Sequence, residues 1–95
     1  MKILKFNAIW CSGCIVMKKI MKEIEEEYPN IEIESYDYDM DEEMVKKYNI
    51  GDIIPVLIFL DKNSNEIGRL IGEKTKKDII KEIERISWKN LNFWY

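Results

Sequence analysis

Cys11 and Cys14 are the only thiols in a chain of 95 residues that has no histidine. They stand three positions apart in Trp10-Cys11-Ser12-Gly13-Cys14. Two thiols at that spacing can close a small disulfide ring, contribute to a metal site, or lie inert and buried. Structural zinc normally takes four ligands, so two cysteines without histidine cannot complete such a site within one subunit. A metal or cluster shared across a dimer stays open, as do two unreactive core cysteines. A disulfide between them would close too short a loop to stabilise the fold much through chain entropy. Its value would be chemical rather than architectural.

The surroundings of the pair point to thiol–disulfide exchange. An apolar run, Ile3 to Ile9, precedes it, and a helical pattern begins at about Ile15. Cys11 is therefore expected at a helix N-terminus, where unpaired N–H groups and the positive end of the dipole favour an anion. An isolated cysteine, with a pKa of about 8.5, is only a few per cent thiolate at pH 7; lowering it to roughly 7 gives about half thiolate. Cys14, one turn later, is expected to be deeper and protonated. It can then attack a mixed disulfide formed at Cys11, while small Ser12 and flexible Gly13 let the ring close.

The elements that must hold this pair can be read in order. Ile3 to Ile9 reads as a strand, with Leu4, Phe6 and Ala8 on one face and Ile3, Lys5, Asn7 and Ile9 on the other. Val16, Ile20, Ile24 and Tyr28, joined by Met17 and Met21, mark an amphipathic helix that Pro29-Asn30 ends. Ile31 to Tyr38 alternates as a second strand. Asp39 with Glu42 has the spacing of a capping box and opens a short helix turning Met44, Val45 and Tyr48 inward. Pro55 precedes the buried run Val56 to Leu60, and the turn cluster Asp61 to Asn65 leads to a hairpin partner, Ile67 to Ile71. After Gly72, Thr75 and Asp78 cap a last helix with Ile79, Ile80, Ile83 and Ile86 facing the core. The order β-α-β-α-β-β-α predicts an α/β fold with a four-stranded mixed sheet, helices on both faces and a right-handed first crossover.

Length supports one domain over residues 1–95 with one core. The aromatic stretch from Trp88 within the 86–95 tail is expected to fold back over an apolar patch, with partner docking as the alternative. Fifteen basic and 18 acidic residues are interleaved, for a net charge of −3. Without a basic patch, nucleic acid is not an expected partner. No apolar run approaches the length of a membrane span. The apolar start is short, Lys5 and Asn7 interrupt it, and it runs into the cysteine motif, which argues against a cleaved leader. A cytoplasmic monomer is expected.

Together, Trp10-Cys11-Ser12-Gly13-Cys14 after a strand, Ile53-Ile54-Pro55 before a core strand, Gly72 after the hairpin and the element order resemble the thioredoxin family. The resemblance spans nearly the whole chain, beginning after the first strand and helix of full-length thioredoxins. It implies a thioredoxin-like fold and a protein-disulfide oxidoreductase without bound cofactor. Cys11 would attack, Cys14 would resolve, and Pro55 would be a cis-proline leaving the backbone of Ile54 to pair with an extended substrate. Trp10, Ile53, Ile54, Pro55 and Gly72 would form an apolar substrate rim. Partners implied are protein disulfides and a thioredoxin reductase or another dithiol reductant.

Three departures qualify the resemblance. Ser12-Gly13 stands where thioredoxins usually carry Gly-Pro, which should move the reduction potential; about 30 mV corresponds to 1.4 kcal/mol. Lys5 occupies the position of a buried acid in thioredoxins. It is expected either to favour the thiolates and tune the couple, or to pair with an acid such as Asp37 or reach water. One extra residue lies near Gly51-Asp52. Two alternatives remain: a glutaredoxin-like enzyme using glutathione, disfavoured by Trp10 and by Glu73 after Gly72, and a non-catalytic binding module whose cysteine pair serves a partner or a bridging metal.

Overall fold

The computed structural model describes residues 1–93, with side chains through Trp88. Its elements are β1 (Lys2–Asn7), α1 (Ser12–Glu27), β2 (Glu32–Asp37), α2 (Glu42–Lys47), β3 (Val56–Leu60), β4 (Glu66–Ile71) and α3 (Lys76–Phe93). The sheet order is β2-β1-β3-β4, with β1 parallel to β2 and antiparallel to β3, and β3 antiparallel to β4. This is the expected mixed α/β sheet, with β1 and β3 at its centre.

Central strands are covered on both sides, so β3 reads as an unbroken apolar run rather than an alternating one. Ile3, Leu57 and Phe59 pack under α1 and α3 with Met17, Met21, Ile24, Ile79, Ile83 and Ile86. Leu4, Phe6, Val56, Ile58 and Leu60 fill the opposite face, against Met44 and Val45 of α2 and Tyr48 at its C-cap. Each fully buried aliphatic or aromatic side chain contributes about 1.5–3 kcal/mol relative to exposure. Alternation along β1 thus assigns Ile3 and Leu4 to different halves of the core.

Local details depart from expectation in three places. The buried face of α1 runs through Cys14, Met17, Met21 and Ile24, whereas Val16 is 51% exposed. The helix is rotated so that its first turn buries Cys14, and a residue two positions on points away from the sheet. At α2 the N-cap is Asp41, not Asp39, and its side chain makes no cap hydrogen bond; Asp41 Oδ2 instead accepts from the N–H of Asp37. At the chain end, α3 continues through Phe93 and Trp88 is 66% exposed, so Trp88 does not fold back over an apolar patch. The side chains beyond it, Trp94 and Tyr95 included, lie outside the described residues. The α3 capping box is present: Asp78 N–H donates to Thr75 Oγ1 at 3.1 Å, and Thr75 N–H donates to Asp78 Oδ2 at 3.3 Å.

Candidate active site

The end of β1 and the start of α1 bring the two sulfurs together. Cys11 is the N-cap of α1, with extended backbone, and its Sγ accepts the Cys14 N–H at 3.2 Å. A sulfur here replaces the usual side-chain oxygen of a helix cap. Cys11 Sγ also donates to the Ile54 carbonyl at 3.6 Å. Both thiols are free. With Ala8 they form a small apolar cluster lined by Tyr38 and Ile54.

Cys11 is less open than a helix-tip thiol was expected to be. It retains 7% of its accessibility and Cys14 5%. The Ile54 segment is the reason, since its carbonyl closes over the Cys11 sulfur. Burial chiefly, and the hydrogen bond with Cys11 next, push the Cys14 thiol up to about 11. Cys14 is therefore a protonated thiol at neutral pH, as the spacing suggested.

The predicted rim residues are placed around this pair. The Ile54–Pro55 peptide is cis, and Pro55 is buried. Gly72 N–H donates to the Pro55 carbonyl at 2.8 Å, with Gly72 at φ +91°, a conformation that side chains other than glycine rarely adopt. Ile53 and Trp10 are exposed. A Cβ at Gly13 would lie 3.1 Å from Glu73 Oε1 and 3.5 Å from Pro55 Cδ. Gly13 therefore gives room for both to approach the motif.

Two site residues have no local signal in the sequence. Asp39 Oδ2 accepts from Trp10 Nε1 at 2.7 Å, and Tyr38 meets the same indole edge-on at 6.4 Å. Asp39 thus anchors the rim tryptophan instead of capping α2. The contact spans 29 residues, beyond any local pattern.

Lys5 is the one buried charged residue among those described, with 8% of its accessibility. The expected pairing with Asp37 does not form, because Asp37 Oδ1 accepts from the N–H groups of Asp39 and Met40. Lys5 lies between Ser35 of β2 and Leu57 of β3, and lines a groove of about 260 Å³ with Asn7, Ala8, Ile9, Cys14, Ile15 and Lys18. No buried side-chain nitrogen or oxygen among the described residues lacks a hydrogen-bond partner, so the unpaired ammonium reaches solvent through this groove. Desolvation lowers its pKa, the Cys14 thiolate raises it, and Lys18 lowers it.

Among the described residues no three side chains of the His, Cys, Asp and Glu types gather as metal ligands. No helix among them is long and apolar enough to cross a membrane.

Comparison with known proteins agrees with this geometry. Thioredoxin H5 of Oryza sativa subsp. japonica is 34% identical over 85 residues, covering 90% of this chain but 61% of its own length. The chain thus spans less than two thirds of that plant relative. The thioredoxin of Chlamydia caviae is 25% identical over 85 residues, covering 90% of this chain and 81% of its own. Thioredoxin 1 from the thermophilic eubacterium Thermosipho africanus superposes with a TM-score of 0.82 at 28% identity, over 95% of this chain and 98% of that one. The Thioredoxin family model matches residues 1–85, both cysteines and the Pro55 segment included, and the chain belongs to the thioredoxin family.

Proposed function

We propose that the protein is a thiol–disulfide oxidoreductase acting on protein disulfides, in which Cys11 attacks and Cys14 resolves. The observation that carries this reading is the Cys11 sulfur itself, held at the tip of α1 by the Cys14 N–H and lying against the Ile54 carbonyl. The Cys11 thiolate attacks one sulfur of a substrate disulfide, the substrate's second sulfur leaves as a thiolate, and a mixed disulfide forms. Cys14 then loses its proton and attacks the Cys11 sulfur. The Cys11–Cys14 bond forms as the mixed disulfide breaks, and two electrons have passed to the substrate. The two cysteines hold those electrons, so no bound cofactor is needed.

An extended substrate segment fits the apolar rim of Trp10, Ile53, Ile54, Pro55 and Gly72, pairing along the Ile54 backbone. The carboxylate of Glu73 beside Gly13 sets a negative charge against an anionic tripeptide, which favours protein disulfides over glutathione. A thioredoxin reductase or another dithiol would return the electrons. One domain working as a cytoplasmic monomer completes the reading, since a dithiol reductant requires a reducing compartment.

Reduction of insulin disulfides by the purified chain, with a small dithiol or a thioredoxin reductase as electron source and no glutathione, tests this. Turnover that Cys11→Ser abolishes is expected. Turnover only when glutathione is added, or none at all, contradicts it.

A further inference from the structure

Within the proposed exchange reaction, we infer that Lys5 is a positioning residue for its second half: its ammonium steadies the Cys14 thiolate that attacks the mixed disulfide. The inference rests on the assignment of Cys11 as the attacking sulfur and Cys14 as the resolving one.

The stem of Lys5 is buried, and its ammonium, without a carboxylate partner, stands partly desolvated in the groove beside Cys14. Every group facing it can be named. Ser35 and Leu57 flank it on the neighbouring strands and carry no charge. From α1 it faces Cys14 and Lys18 across the shared groove. Lys18 repels it, so among the described residues the Cys14 thiolate is the one anion available to it. Cys14 in turn faces the Cys11 sulfur, the backbone of Ala8, whose hydrogen bond favours the thiolate, and Lys5. Of these only Lys5 supplies positive charge.

That anion exists only during turnover. In the reduced protein Cys14 holds its proton, and in the oxidised protein the disulfide is neutral. Between them, with Cys11 tied to substrate, the Cys14 proton must leave through the groove and its sulfur must attack as an anion. Burial opposes this step, and Lys5 lowers its barrier by offsetting the buried negative charge. The effect falls on Cys14 rather than Cys11, so it changes one half of the reaction.

Dithiodipyridine separates the halves. Its neutral rings make no charge contact with Lys5 or Lys18. Attack by Cys11 releases one thiopyridone, and resolution by Cys14 releases a second. In Lys5→Met, we expect the first phase within about twofold of the parent. The second phase should be about three- to tenfold slower near pH 7, with its pH midpoint moved upward, since one pKa unit is tenfold in thiolate. Lys5→Arg should restore both rate and midpoint. An unchanged second phase in Lys5→Met, equal slowing of both phases, or failure of Lys5→Arg to restore the midpoint would overturn the role of Lys5. A first phase that survives in Cys11→Ser would instead refute the assignment of the attacking sulfur, and the inference with it.

Discussion

A sulfur that accepts one backbone N–H and touches one carbonyl is held in place without being tied down, because both contacts leave it free to bond a third atom. Cys11 has this arrangement through Cys14 N–H and the Ile54 carbonyl. The spacing of Cys11 and Cys14 left exchange, metal and inert roles open, and only the strand before them, the Pro55 segment and the element order singled out exchange. The role of Asp39, which fixes Trp10, was not legible, because a tertiary contact overrode the local cap pattern it forms with Glu42. The fate of Lys5 was equally hidden, since the sequence could not say that Asp37 Oδ1 turns to the N–H groups of its own loop. Lys5 also implies a conflict between stability and function. Its folded pKa is lowered, so a charge penalty is present at neutral pH and relieved as pH rises toward the ordinary lysine value. Lys5→Met should accordingly raise stability by about 1 kcal/mol at pH 7, read from urea unfolding, even as it slows resolution. A loss of stability would show that the ammonium is better satisfied than its surroundings indicate.

At the scale of elements, periodicity located all seven strands and helices. Their edges and rotations depended on what they pack against. The four-residue rhythm from Val16 through Ile20 to Ile24 placed Val16 inside, yet Cys14, Met17, Met21 and Ile24 form the buried seam of α1. With so many apolar residues in the first turns, rotation about the helix axis is underdetermined by sequence, and the approach of Cys14 to the end of β1 decides it. Met17→Ala should therefore cost about 2–5 kcal/mol, while Val16→Ala should cost under about 0.5 kcal/mol. Equal losses in chemical denaturation would restore the simpler four-residue reading. The cap of α3 was legible because Thr75 and Asp78 act within one turn. Thr75→Ala should destabilise by about 1 kcal/mol, measured the same way; no change would mean that α3 is held by packing alone.

Across the whole molecule, a four-stranded sheet buried on both faces carries the sulfur pair just past the end of β1, one of its two central strands. That placement couples the redox state to stability. The reduced, folded chain holds the Cys14 proton up to about 11, against about 8.5 for an unperturbed thiol. Between those values the unfolded chain has lost a proton that the folded chain keeps, so stability falls as pH rises through the window and is complete below it. The reduced form should lose on the order of 1–2 kcal/mol relative to the oxidised form between about pH 8 and pH 10.5. The oxidised form has no thiol to titrate, so the difference between the two removes contributions from tyrosines and lysines. Parallel unfolding curves at the two pH values would show that Cys14 is not the buried acid described here.

The division of labour between the cysteines is most directly tested by trapping. Cys14→Ser and Cys11→Ser are each incubated with a protein carrying one accessible disulfide, and covalent adducts are read by mass spectrometry. A mixed disulfide that accumulates at Cys11 in Cys14→Ser, with none in Cys11→Ser, is the expected result. Adducts on Cys14, or no adduct from either variant, would contradict the assignment of Cys11 as the attacking sulfur.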